Sequence, residues 1–257
     1  RRWCFPVTGR LAPRGSLVPA PAQARAQPPA RRGDDATVGG VATYSTLGRL
    51  PDPVFNTMLG WSETRFVGTI FHELAHERLY VPGASEFNEA FASVVEQEGV
   101  RRWLAARGRP AELDAYELTL AREVEFAELL RAARDRLAAL YASGEGALSM
   151  RIAKQREFGR LKFEYGELRS RWGGDGAYDG WFARVLNNAH LASVATYHDC
   201  VPGLQAELVA AGSLPAFYER AAQLGSLPER EWRAAVCTMP DARLTGSVGE
   251  RWQGGLC

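Results

Sequence analysis

The residues best suited to chemistry are two histidines four positions apart in the stretch His72-Glu73-Leu74-Ala75-His76. Four residues make about one helical turn, so both imidazoles project from the same face of a helix. Zinc accepts imidazole nitrogen in tetrahedral geometry. Glu73 points about 100° around the helix, where its carboxylate can serve as the general base for a metal-activated water. This spacing predicts a Zn²⁺ site of the metallopeptidase type.

A catalytic zinc site needs a third protein ligand and one open position. The following segment offers four carboxylates: Glu86, Glu89, Glu96 and Glu98. Glu89 lies among apolar residues in the stretch 87–92, where an unpaired carboxylate is costly to bury and a metal removes that cost. We therefore predict Glu89 as the third ligand, with Glu86 and Glu96 as alternatives. Glu96 is better interpreted as a partner of a ligand histidine or as a surface charge.

Hydrolysis of a peptide bond also needs a donor that stabilises the oxyanion. The candidates are Tyr197, which we predict first, and His198, which we predict second. On a helix, Tyr197 shares a face with Asn187 and His190. The structural alternative is that this hydroxyl or imidazole only caps a helix end.

Helical periodicity and end signals predict the elements that position these residues. Ser62 is a plausible N-cap for the histidine helix, which Pro82-Gly83 ends, and Ser85 is a plausible cap for the next. The other predicted helices span residues 110–142, 147–172, 181–199, 204–211, 215–224 and 228–237. The helices 110–142 and 147–172 form an antiparallel hairpin with a charged face.

The remaining segments predict one small sheet and two loose ends. Residues 38–45 are β-branched and favour a strand. The first 33 residues are rich in arginine and proline and contain no acidic residue, which is typical of disorder. The predicted fold is mainly α (α+β), with one small β-sheet and a long helical hairpin. The predicted division is a disordered segment 1–37, a metallopeptidase domain 38–237 and a loose tail 238–257.

Composition limits the possible partners. The 257 residues are 46% hydrophobic and 24% charged, which is ordinary for a globular chain with a large core. A formal net charge of +1 gives no drive toward nucleic acid, and no apolar stretch approaches the roughly 18 residues of a membrane span. The four cysteines form no metal-binding pattern. One disulfide is compatible with their number, and the pairing is left open.

Residues 36–237 resemble the bacterial predicted zinc aminopeptidases, which are envelope proteins of the gluzincin kind. The matching stretches cover residues 3–7, 38–41, 44–48, 56–59, 69–76, 87–92, 187–189 and 196–197. The resemblance implies a zincin-like helical core, His72, His76 and Glu89 as zinc ligands, and Glu73 as the catalytic base. It also implies an N-terminal lipoprotein signal and a helical segment upstream, which this chain does not contain.

The chain departs from the family pattern between Thr8 and Val38. Family members carry a second cysteine near the position of Arg10 and an acidic helix where this chain has its Pro/Arg/Ala-rich run. The distance from Cys4 to Val41 nevertheless matches the family. We interpret the departure as a reading-frame excursion in the coding sequence or a genuine variant.

These observations predict a zinc-dependent peptidase, of the aminopeptidase type by resemblance, acting on a peptide or protein substrate. The alternative is a catalytically impaired protease-like module that binds zinc or a partner. By resemblance we expect a cell-envelope or periplasmic location, with membrane attachment only through a lipoprotein segment absent from this chain.

Overall fold

A computed structural model describes residues 35–38, 58–191 and 199–237, together with the backbone of residues 3–5 and 9–11 and the isolated residue 24. The described chain is mostly helical. Two short strands come first, β1 (Trp3–Phe5) and β2 (Gly9–Leu11). The helices are α1 (Glu63–Arg78), α2 (Ser85–Ala106), α3 (Pro110–Ala142), α4 (Ala147–Arg171), α5 (Asp179–Phe182), α6 (Val201–Ala211), α7 (Leu214–Gly225) and α8 (Glu229–Val236). The mainly helical fold class is confirmed.

The small sheet predicted over residues 38–45 is not supported. Val38 has no regular secondary structure, and residues 39–45 lie outside the described part of the chain. The strands that are described form a separate antiparallel pair in which Trp3 lies opposite Leu11 and Phe5 opposite Gly9.

Local signals located the long helices closely. Ser62 is the N-cap of α1, and its side chain accepts a hydrogen bond from the backbone of Arg65 at 3.3 Å. This bond satisfies one of the free N–H groups at the helix start. Helix α3 begins at Pro110, where the missing proline N–H costs nothing.

Two predictions about helix ends were wrong. Ser85 is the first helical residue of α2 rather than its cap, because Ala84 occupies the N-cap position and makes no side-chain hydrogen bond there. The predicted continuous helix over residues 181–199 is interrupted. Helix α5 ends at Phe182, and the chain becomes helical again at residue 188.

The chain divides into two compact units. The first unit comprises Arg1–Gly40 and Glu123–Ala195, and the second comprises Val41–Arg122 and Thr196–Cys257. Helix α3 contributes residues to both. The domain bounds predicted from sequence stay a prediction.

The first unit contains the predicted helical hairpin. Apolar side chains of α3 and α4 share one buried cluster that includes Leu130, Leu137, Leu161 and Leu168. Arg136 of α3 also forms ion pairs with Glu157 and Glu164 of α4. The antiparallel pairing is therefore held by an apolar seam together with charges along its edge.

The first unit also anchors a piece of the segment predicted to be disordered. The Asp35 carboxylate accepts hydrogen bonds from Lys154 Nζ and from the backbone N–H of Asn188. The hydroxyl of Thr37 lies 3.0 Å from Nε2 of His190. Residues 35–37 therefore contact this unit directly.

The second unit is built around α2. Its fully buried Phe87 and Phe91 pack against α7 and α8, where Phe91 stacks on Phe217 and Phe87 meets Trp232 edge to face. Burial of an aromatic side chain of this kind stabilises a fold by about 1.5–3 kcal/mol. This core fixes the register of α2, the helix that carries Glu89.

A disulfide between Cys200 and Cys237 closes the second unit. Cys200 is the N-cap residue of α6, and Cys237 is the C-cap residue of α8. The pairing left open by the sequence is therefore assigned. Within the described residues, none of the helices is both long and apolar enough to cross a membrane.

Candidate metal centre

Helices α1 and α2 bring the three predicted ligands together. His72 and His76 are one turn apart on α1, and their Nε2 atoms lie 3.2 Å from each other. Glu89, on the second turn of α2, places Oε2 at 3.5 Å from His72 Nε2 and at 4.0 Å from His76 Nε2. The three side chains form a group that could hold a metal ion, with ligand atoms all within 4.8 Å of one another.

The donor set and its spacing fit a tetrahedral metal ion. Zinc with ligand distances of about 2.0–2.1 Å separates neighbouring ligand atoms by about 3.3–3.4 Å. The observed separations of 3.2 and 3.5 Å lie at this value, and only the distance from His76 to Glu89 is longer. Two imidazole nitrogens and one carboxylate oxygen make a set that zinc accepts.

Glu96 orients one of the two histidines. It lies two turns after Glu89 on α2, and its Oε2 is 3.0 Å from Nδ1 of His72. A proton on Nδ1 then donates to the carboxylate, so the Nε2 lone pair faces His76 and Glu89. The described residues offer no equivalent partner to Nδ1 of His76, which is buried. The structure therefore supports the interpretation of Glu96 as a partner of a ligand histidine.

The electrostatics of the group favour a cation. Burial lowers the pKa of His72, but hydrogen bonds and charges from Glu89 and Glu96 outweigh it and raise the pKa to about 9. Burial and then the charge of His72 lower the pKa of His76, which is only 8% exposed. Two carboxylates thus hold one positive charge among the imidazole rings, at the place where a metal ion would lie.

Glu86, an alternative third ligand, has a structural role. Its side chain is 6% exposed and forms an ion pair with Arg233 of α8 at 2.5 Å. It is absent from the group of ligand atoms around His72 and His76. Its spacing from Glu89 places it on a different face of α2, because three residues and a turn of 3.6 residues do not coincide.

The remaining predicted site residues lie elsewhere. Glu73 follows His72 on α1 and is half-buried. Tyr197 and His198 lie outside the described residues, so the oxyanion donor stays a prediction. Asn187 is not inside a helix as predicted, because its side-chain oxygen accepts from the backbone of Ala189 at the start of the helix beginning at residue 188.

Asn88 was missed by the sequence reasoning. Its side chain is 2% exposed, donates to the Val81 carbonyl at 2.9 Å and accepts from the Val81 N–H at 2.8 Å. This pair of bonds ties α2 to the turn after α1. A polar amide inside the otherwise apolar stretch 87–92 was the available signal, since buried amides need partners.

The fold and the site define a mostly helical protein with a candidate metal centre shared by two adjacent helices. Residues 1–236 match the family described as "Putative aminopeptidase", and the chain belongs to that family. This membership supports a peptidase. No curated protein and no solved structure matches the chain.

Proposed function

We propose that the protein is a zinc-dependent peptidase of the aminopeptidase type. The observation that carries the proposal is the convergence of His72, His76 and Glu89, whose ligand atoms lie within 4.8 Å of one another. Family membership supports the peptidase class independently of this geometry.

The donor set favours zinc over other common ions. Calcium and magnesium prefer sites made mainly of oxygen, whereas two of the three donors here are imidazole nitrogens. Three protein donors also leave one coordination position for substrate or water, as catalytic zinc sites do. The histidine–carboxylate contact through Glu96 supports the same class of site.

The side chains divide the work of hydrolysis. When bound, the metal polarises the scissile carbonyl and activates the attacking water. Glu73 accepts the proton of that water at its carboxylate and delivers it to the leaving amine. Glu96 holds the Nδ1 proton of His72 and keeps the ring in one orientation. Tyr197 is proposed as the donor to the oxyanion.

The substrate is a peptide or protein, and the family description supports removal of N-terminal residues. We further propose a cell-envelope location, which rests on the resemblance of the sequence motifs. The net charge of +1 offers no electrostatic attraction to nucleic acid.

Metal analysis combined with peptide-digest mass spectrometry of the full chain tests the proposal. We expect one zinc per chain and products shortened stepwise from the N-terminus. Glu73→Gln keeps zinc but lowers hydrolysis by about 10²–10⁴-fold, because the amide cannot accept the proton. Glu77→Gln, which changes an exposed glutamate on the same helix, is the matched control and retains activity.

Two results would contradict the proposal. A chain that binds no zinc has no metallopeptidase site. A chain that binds zinc but cleaves none of the digest peptides is instead the zinc-binding module considered as the alternative.

A further inference from the structure

A glycine lies directly behind the carboxylate that orients His72. Gly68 is buried on α1, one turn before His72 and on the same face of the helix. A Cβ atom added there would lie 3.0 Å from Oε1 of Glu96 and 3.4 Å from Cγ of the same residue. It would also meet Val100 at 3.4 Å. These distances are shorter than ordinary van der Waals separations.

The two oxygens of Glu96 face two different neighbours. Oε2 contacts Nδ1 of His72 at 3.0 Å, while Oε1 lies against the backbone of Gly68. The carboxylate is therefore enclosed between the imidazole and the glycine. A methyl group on the glycine side pushes the carboxylate away from the ring that it orients.

We propose that Gly68 is a positioning residue of the metal centre. Its missing side chain leaves the space in which Glu96 reaches Nδ1 of His72. Gly68 thus acts on metal affinity through Glu96, without touching the metal. The inference rests on the proposed zinc function and goes beyond it, because it assigns a role to a residue that has no donor atom.

The α1–α2 contact contains a second glycine with a different role. A Cβ at Gly99 of α2 would lie 2.7 Å from the ring of Phe71 on α1. Substitution there displaces a large side chain and alters general packing between the helices. Gly99→Ala is therefore expected to lower stability, which makes it a comparator for purely structural damage.

A double-mutant cycle separates positioning from packing. Zinc affinity is measured by competition with a chromophoric chelator for the full-length wild type, Gly68→Ala, Glu96→Ala and the double variant. The thermal midpoint of each metal-free protein is measured in parallel. Gly166→Ala is the matched control, because Gly166 lies in α4 with nothing within 4 Å of its added Cβ.

We expect Glu96→Ala to weaken zinc binding about 10–100-fold and Gly68→Ala to weaken it about tenfold. The double variant should bind no more weakly than Glu96→Ala alone, because Gly68 has no further route to the metal. Gly166→Ala should bind zinc like the wild type. If Gly68→Ala does not fold, the same comparison is made in a Val100→Ala background, which removes one of the tight contacts.

Three outcomes overturn the inference. Zinc affinity of Gly68→Ala within twofold of wild type shows that Glu96 does not need the space. Full additivity in the double variant shows that the substitution acts through general packing. A wild type that binds no zinc overturns this inference and the proposed function together, whereas the first two outcomes leave the proposed function intact.

Discussion

Asn88 binds both the N–H and the carbonyl of Val81 through its side-chain amide, at 2.8 and 2.9 Å. The two residues lie on either side of the turn between α1 and α2, and Asn88 directly precedes Glu89. The amide therefore replaces a missing backbone pairing in a turn that reverses the chain. It fixes the start of α2 relative to the helix that carries the two histidines.

Asn88→Ala should destabilise the protein by about 2–3 kcal/mol, because two hydrogen bonds are lost and buried peptide groups of the turn are left without partners. Chemical denaturation of the metal-free chain measures this change. Thr119→Ala is the control, since its exposed hydroxyl bonds only to the carbonyl of Ala115 in its own helix. Equal stability of the two variants would show that the amide does not hold the turn.

Glu89→Gln and Glu86→Gln should fail in different ways. Glu89→Gln removes a charged donor from the ligand group, so we expect zinc occupancy to fall sharply. Glu86→Gln should keep zinc but lower the free energy of unfolding by about 2 kcal/mol, because Arg233 loses a buried partner and keeps only Glu229. Metal analysis and denaturation of both variants distinguish these effects. Loss of zinc in Glu86→Gln alone would transfer the ligand role to Glu86.

The histidine helix and the hairpin helices were predictable because their signals are local. A serine cap, regular apolar spacing and proline at a helix start decide such elements within a few residues of chain. The pairing of His72 and His76 follows from the same helical geometry. Glu89 could be selected because a carboxylate in an apolar stretch needs a cation or a partner.

The features that escaped the sequence depend on contacts between distant residues. The interruption of the helix predicted over residues 181–199 accompanies a hydrogen bond from Asn187 to the Ala36 carbonyl, 151 positions away. The choice between Glu86 and Glu89 depends on Arg233, which reaches α2 only after α8 has packed. The role of Gly68 depends on how closely α1 and α2 approach. Periodicity carries no information on any of these contacts.

The disulfide between Cys200 and Cys237 should contribute substantially to stability. It joins residues 37 positions apart, and the loop-entropy relation gives about 4 kcal/mol for a loop of this length. The variant with Cys200→Ala and Cys237→Ala should therefore unfold at lower denaturant than the oxidised wild type. Adding reductant should lower the wild type toward the variant and leave the variant itself unchanged. A wild type insensitive to reductant, with four titratable thiols after unfolding, would show that the bond does not form.

Glu128 on α3 gives a pH-dependent prediction for the first unit. Burial raises the pKa of this half-buried carboxyl from 4.5 to about 7; Arg131 opposes the shift, and Glu125 adds to it. The folded state thus binds more protons than the unfolded state between these two values. The contribution of Glu128 to stability consequently falls as the pH rises from about 4.5 to about 7.

Glu128→Gln removes this ionisation and keeps the shape of the side chain. We expect the variant to be more stable than wild type at pH 8 by about 1 kcal/mol, a value reduced from the full shift because solvent screens a half-exposed group. Near pH 4.5 the two proteins should be equally stable, since the wild-type carboxyl is then neutral in the folded state. Denaturation curves across this pH range test the difference. Glu167→Gln, at an exposed position of α4, is the matched control and should show no such crossover. A stability gain that is the same at both pH values would mean that the effect is unrelated to the carboxyl charge.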